Sequence, residues 1–291
     1  MKKTLSLLLC IVLLLCTLVS CKDEEIRVQD LPFEKYAGYK VLNLTHEEGC
    51  LCIRFVKPGH WSKGKDQKRT DTDVPIHQTL VLFEETLSLT LLQSYYQPKG
   101  NQTIDEFEID GVLSPSGKPA CVRMHRDGSI QSLYGYPFKG IEVTASMSDD
   151  EVKAVLTATV GDLFDLSEYT HFSCEWTSSN SYKAKFYREK DGYKVGDGLT
   201  VSGQDDTLVS VAQSQRPEKL DGLSFPAPEK LDEIIEAFLN ENLVEDDIDS
   251  YTYSCEIVKF YDGYGIYAEI TLYRDGDDYP SGDVPIFILV E

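Results

Sequence analysis

"YREKDGYKVGD", residues 187–197, and "YRDGDDYPSGD", residues 273–283, agree without a gap in Tyr, Arg, Asp, Tyr, Gly and Asp, six of eleven positions. Internal self-similarity marks a structural unit used twice, so these stretches set the frame for the C-terminal half. Upstream, "YTHFSCEW" (169–176) answers "YTYSCEIV" (251–258) after one deletion, which aligns Ser173-Cys174-Glu175 with Ser254-Cys255-Glu256. Further upstream, "DDEVKAVLTATVGDLF" and "PEKLDEIIEAFLNENL" share helical apolar spacing. The stripes are Val152, Val155, Leu156, Val160 and Leu163 in one copy, and Leu231, Ile234, Ile235, Phe238 and Leu239 in the other.

Each copy opens with a helix signal. Ser148 and Glu151 form a capping box, and Pro228 suits a first helical turn. An alternating strand follows, with Phe172, Cys174 and Trp176 on one face in the first copy and Tyr253, Cys255 and Ile257 in the second. A returning strand carries Tyr182, Ala184 and Phe186, matched by Ala268, Ile270 and Leu272. Laying the helix on the apolar face of an antiparallel sheet buries both stripes, which predicts two tandem α+β units, residues 140–220 and 221–291. Glu175 with Arg188, and Glu256 with Arg274, recur in both copies and are expected to pair across neighbouring strands.

Residues 36–139 read differently. "YKVLNL", "CLCIRFV", "QTLVLFEE", "TLSLTLLQSYY" and "DEFEID" alternate or form short apolar runs without a helical stripe. The expectation is an N-terminal β-rich meander domain ahead of the two units, giving an α+β fold class. Residues 21–35 are charged at first and read as a tether. "KPACVRMHRDGSIQSL" (118–133) and "DGLTVSGQDDTLVSV" (197–211) echo each other as strand, Asp-containing turn and strand.

The stretch "FYREKDGYKVGDGLTVSGQDDTLVSV" (186–211), preceded by the helix signal, resembles PepSY domains and the propeptides of thermolysin-type proteases. The likeness covers residues 148–211, with 228–291 as a poorer copy that stops early. It implies a helix packed on an antiparallel sheet, and a role in inhibiting or chaperoning proteases or in sensing outside the cell.

At the other end, Lys2 and Lys3 precede an almost wholly apolar run over residues 4–20, the layout of an export signal. The acids Asp23, Glu24 and Glu25 follow it, where a stop-transfer segment would carry basic residues. Leu18-Val19-Ser20-Cys21 resembles the lipobox of bacterial lipoproteins. The resemblance implies removal of residues 1–20, a diacylglyceryl thioether on Cys21 and acylation, such as palmitoylation, of its new amino group. Two or more chains hold a protein on its membrane where one binds only marginally. The leader by itself also fits an ordinary secretory signal cut near Ser20.

The chain has a formal charge of −21, and loss of Lys2 and Lys3 with the leader gives −21 − 2 = −23. Such acidity excludes nucleic acid as a partner, because phosphate binding needs a basic surface. Hydrophobic residues at 42% supply material for more than one core. Beyond Cys21 the cysteines stand at 50, 52, 121, 174 and 255, an odd number, so at least one thiol stays free. Cys174 and Cys255, equivalent in the repeat, are expected in the cores.

Catalytic signatures are missing from the sequence. It has no Gly-x-Ser-x-Gly elbow, His-Glu-x-x-His helix or phosphate-binding glycine loop. Ser62 and Lys65 satisfy a Ser-x-x-Lys pattern by chance, without its companion motifs. His46, His60, His77, His125 and His171 are scattered, and the acidic runs 245–249 and 275–283 lack the spacing of a calcium loop. No cofactor or metal is expected. The single basic cluster, His60, Trp61, Lys63, Lys65, Lys68 and Arg69, is a possible contact loop for an anionic partner or wall polymer. The reading is a lipid-anchored, extracytoplasmic, non-catalytic module that binds a protein or cell-wall component. Two others stay open: an anchored enzyme with an unfamiliar site in the β-rich region, and a spacer.

Overall fold

The computed structural model describes residues 27–44, 77–97, 99–138, 141–178, 180–204, 207–242, 248–274 and 282–290. Within them strands take up 55% and helices 14%, so the protein is mainly β, with two sheets and two helices, where the sequence predicted an α+β fold.

After a 3-10 turn at Val28–Asp30, a hairpin is formed by β1 (Glu34–Tyr36) and β2 (Tyr39–Asn43). A meander follows: β3 (His77–Leu82), β4 (Glu85–Gln97), β5 (Gln102–Leu113), β6 (Pro119–His125) and β7 (Ile130–Tyr134). Helix α1 (Asp149–Val160) leads to β8 (His171–Ser178) and β9 (Ser181–Tyr187), then the small hairpin β10 (Glu189–Lys190) and β11 (Tyr193–Val195), then β12 (Leu199–Gln204) and β13 (Thr207–Gln213). Helix α2 (Pro228–Asn242) precedes β14 (Ile248–Phe260), β15 (Gly263–Arg274) and β16 (Gly282–Val290).

Nine strands form one sheet in the order β3-β4-β5-β6-β7-β13-β12-β9-β8, and seven form the other in the order β1-β2-β16-β15-β14-β11-β10. The sheets cross the boundaries drawn from sequence. Leu133 of β7 pairs with Val211 of β13, so the meander of 36–139 and the strands of 140–220 share one sheet. The β1–β2 hairpin joins the far edge of the other sheet through Val41 and Ile288. Long-range pairing of this kind leaves no local trace, because each strand reads the same whichever partner it meets.

The predicted tether also shortens. Val28 is buried, its amide donates to the Asp262 carboxylate at 2.6 Å, and Phe33 packs on Phe287 at 6.4 Å. The chain is therefore docked by residue 28, where the sequence reading kept it free to 35. These residues cover the second face of the seven-stranded sheet together with Leu42, Leu44, Phe260 and Tyr261.

Both helix signals hold. The Ser148 hydroxyl accepts from the Glu151 amide and the Glu151 carboxylate accepts from the Ser148 amide. Val152, Leu156 and Val160 are buried against the nine-stranded sheet, with Phe172, Cys174 and Trp176 in the same core. Leu231, Ile234, Ile235, Phe238 and Leu239 of α2 are buried against the seven-stranded sheet. At about 1.5–3 kcal/mol for each fully buried side chain, an upper value, that stripe alone fixes the helix in place. Cys174 pairs with Ala184 and Cys255 with Ala268, whereas the sequence match set Ala184 against Ile270, so the hairpin registers of the two copies differ by two residues.

Candidate functional site

A groove of about 370 Å³ opens on the nine-stranded sheet where three segments converge: the β3–β4 turn, the chain leaving β7, and the end of α1. Its walls are Phe83, Glu85, Tyr136, Pro137, Phe138, Ala158, Thr159 and Asp162.

The β3–β4 turn has two residues, Phe83 and Glu84, and both have positive φ, 48° and 65°. A two-residue turn of this kind matches the strand twist but favours Asn, Asp or Gly. Two others carry glycine second, Ala37-Gly38 at 49° and 92° and Asp191-Gly192 at 53° and 85°, while the β14–β15 turn places buried Tyr261 at 51°. Phe83-Glu84 supplies neither residue type, and a bulky side chain in the left-handed region is strained. The turn presents the Phe83 ring, 39% exposed, at the mouth of the groove.

Across the mouth, Gly135 turns the chain out of β7 with φ +69°, and a Cβ there would meet Ser114 Cβ at 2.6 Å. The Phe138 amide then donates to the Tyr136 carbonyl at 3.0 Å, a tight three-residue turn that buries both rings and leaves Pro137 exposed. The three rings close a triangle. Phe83 lies 6.2 Å from Tyr136 and 5.6 Å from Phe138, and Tyr136 meets Phe138 edge-on at 5.4 Å and 85°. Such edge contacts are the favoured aromatic geometry.

The polar part of the wall is anionic. The Tyr136 hydroxyl donates to Glu85 at 3.4 Å. Burial first, and then the Glu85 charge and hydrogen bond, push the Tyr136 phenol above its ordinary range, so it stays a neutral donor. Asp162 is exposed beside the last turn of α1, a turn that holds no basic residue. Among the described residues the wall contains no serine, cysteine, histidine or lysine. It thus offers the exposed Phe83 ring and carboxylates, a lining suited to holding a ligand.

A second polar cluster lies at the seam between the sheets. Arg188 donates through Nε at 2.9 Å and Nη2 at 2.6 Å to Asp197 Oδ2, and through Nη2 to the Glu218 carbonyl. The expected Glu175–Arg188 pair is therefore replaced: Lys183 stands opposite Glu175, and the guanidinium turns to Asp197 and Glu168. Glu256 pairs with Lys99 from the meander. Tyr169 donates to the Asp197 carbonyl at 2.8 Å and accepts from Gln213 at 2.7 Å. Burial raises the Asp197 carboxyl against the pull of Arg188, and its Oδ1 has no hydrogen-bond partner within the protein. Burial works against the charge on Glu218 too, yet hydrogen bonds from Lys259 and Tyr264 hold it below the usual carboxylate range.

Backbone bonds complete the seam. The Gly196 amide donates to the Ile257 carbonyl and the Gly100 amide to the Lys259 carbonyl, each at 2.7 Å. The cavity among these groups is only about 10 Å³, room for one water. The cluster is a fastening between the sheets.

Cys21 and the basic cluster His60, Trp61, Lys63, Lys65, Lys68 and Arg69 lie outside the described residues, as do Cys50 and Cys52. Of the described histidines, His77 and His171 are exposed and His125 is buried with Nε2 unpartnered. Cys121, Cys174 and Cys255 are free thiols, partly buried, and burial pushes each above its ordinary range, away from the reactive thiolate. Among the described residues no group of three or more His, Cys, Asp or Glu is placed to hold a metal, and no helix is long and apolar enough to cross a membrane. The groove escaped the sequence reading, whose one usable signal was a turn between two alternating runs without turn-forming residues. Comparison with protein-family models, curated proteins and solved structures finds no match to this chain.

Proposed function

We propose that this chain is a lipid-anchored extracytoplasmic lipoprotein, held on the membrane through acyl chains on Cys21, whose body is a non-catalytic binding module. The observation that carries the binding reading is the Phe83 ring, kept at the groove mouth by a turn whose backbone disfavours it. Strain retained at a ligand-sized groove is what a functional constraint produces. The partner is a protein or cell-wall component that contacts the exposed Phe83 ring. The anchor reading rests on the lipobox resemblance, and the net charge keeps the body itself off an anionic lipid surface.

The finer fold reading is that the two helices head tandem units, α1-β8-β9-β12 and α2-β14-β15-β16, built on one plan. The burial of both apolar helix stripes against sheet faces carrying Cys174 and Cys255 supports it, and with it the PepSY-like reading in which the partner is a protease. Capture from native membranes with the full chain and with Phe83→Asn, followed by mass spectrometry, tests the proposal. A partner retained by the natural sequence and lost from a folded Phe83→Asn chain is expected. Equal recovery by both chains overturns the groove as the binding site.

A further inference from the structure

A second concavity lies beside the seam, where the end of β9 and the start of β12 meet β11 of the other sheet. Its volume is about 130 Å³, and its polar lining is Lys185, Tyr187, Lys194, Thr200, Ser214 and Glu256. Two lysines in one cleft stand out in a chain whose Asp and Glu outnumber Lys and Arg by 49 to 28. Both ammonium groups are uncommitted. Lys185 stands in register between Ser173 of β8 and Thr200 of β12, a neutral neighbour on either side. Lys194 is opposite Glu189 and Glu256, but Lys99 holds Glu256, Glu189 does not line the cleft, and the Lys194 ammonium lies 4.6 Å from the centre of the Tyr187 ring. That ring is itself fixed, stacked on His171 at 5.2 Å and 17°. Among the described residues neither lysine has a carboxylate within ion-pair distance, and the Thr200 and Ser214 hydroxyls have no hydrogen-bond partner.

The kind of ligand follows from these donors. Two ammonium charges, beside a carboxylate already neutralised by Lys99, are matched by two negative charges. Lysine is a point charge with three donors, whereas the planar fork that fits a carboxylate belongs to arginine, and no arginine lines the cleft among the described residues. A phosphate monoester carries about −1.5 to −2 at pH 7 on three acceptor oxygens. Two ammonium groups and two hydroxyls around one space suit that arrangement, and about 130 Å³ holds several waters, hence a group of this size. We infer that the cleft binds the dianionic phosphate group of a small molecule. The overall charge of −21 holds off a polyanion, but a single group needs only the local field of the two lysines. This site lies apart from the Phe83 groove and shares no residue with it.

Amide NMR of the full-length chain in neutral detergent micelles tests it, with inorganic phosphate, glycerol 3-phosphate, the diester glycerophosphoglycerol and acetate as titrants at constant ionic strength. Saturable shifts at Lys185, Lys194, Thr200 and Ser214 are expected with the first two. The singly charged diester and acetate should bind about tenfold more weakly. Lys185→Gln and Lys194→Gln, both at exposed positions, should each weaken phosphate binding about tenfold, the scale of one charge-assisted hydrogen bond. Lys183→Gln, on the same face of β9 but outside the cleft, should change it less than about twofold. Glycerol 3-phosphate binding at least as tightly as inorganic phosphate assigns the group to an ester, and the reverse order to the free anion; both support the inference. Acetate or the diester binding as tightly as phosphate, an equal loss with Lys183→Gln, or no saturable shift overturns it.

Discussion

Replacing Phe83 by asparagine separates a ring kept for packing from a ring kept for a ligand. Two opposing terms set the result. Asparagine tolerates positive φ, so the change relieves about 1–2 kcal/mol of backbone strain. The lost ring is 39% exposed, so roughly 120 Å² of a side chain near 200 Å² leaves contact, at most about 3 kcal/mol at 25 cal/mol per Å². The net destabilisation is then about 1–2 kcal/mol. Phe107, 1% exposed in the middle of the same sheet, has no such offset, and Phe107→Ala should cost about 3–5 kcal/mol. Glu84→Gly at the next position relieves strain without removing a ring and should stabilise by about 1 kcal/mol. Urea unfolding followed by circular dichroism measures all three against the natural sequence. A loss above about 3 kcal/mol for Phe83→Asn would refute the reasoning, since the ring would then be a core element whose packing justifies the turn.

Other expectations concern the rest of the molecule. Asp197→Ala removes the carboxylate from the mostly buried Arg188 and should cost about 3–5 kcal/mol, whereas Arg188→Met with Asp197→Leu should restore most of it, as read by thermal unfolding. His125 is buried and lowered to about 4 by burial first and by Arg216 second. The unfolded chain then binds a proton from about pH 6.5 downward while the folded chain does not, so stability falls as pH drops from 6.5 to about 4, in all by about 3 kcal/mol. His125→Leu should flatten the slope between pH 6.5 and 5, and an unchanged slope there would count against the burial argument. Cys21→Ser should abolish palmitate incorporation and release the protein from membranes in fractionation, and retention of both would defeat the anchor.

Much of the secondary structure was legible and its assembly was not. The capping box at Ser148 and Glu151 and Pro228 at the start of α2 each declare themselves through residue chemistry acting over a few positions. The alternating faces of β8, β9, β14 and β15 did the same, because burial on one side of a pleat imposes a period of two. The joining of β7 to β13, and of β2 to β16, depends on strands far apart in sequence, whose alternation does not name a partner. Arg188 shows a similar limit. The repeat suggested Glu175 as its counter-ion, but the chain folds back between β9 and β12 and brings Asp197 close enough for two hydrogen bonds. The groove was hidden for a third reason: Phe83 contradicts the preference of its turn, and a rule of preference cannot report the place where it is overridden.

Capture from native membranes by the full-length chain and by a folded Phe83→Asn chain tests the account most directly. A partner retained by the natural sequence and lost from Phe83→Asn is the predicted result. Equal recovery by both chains would contradict it.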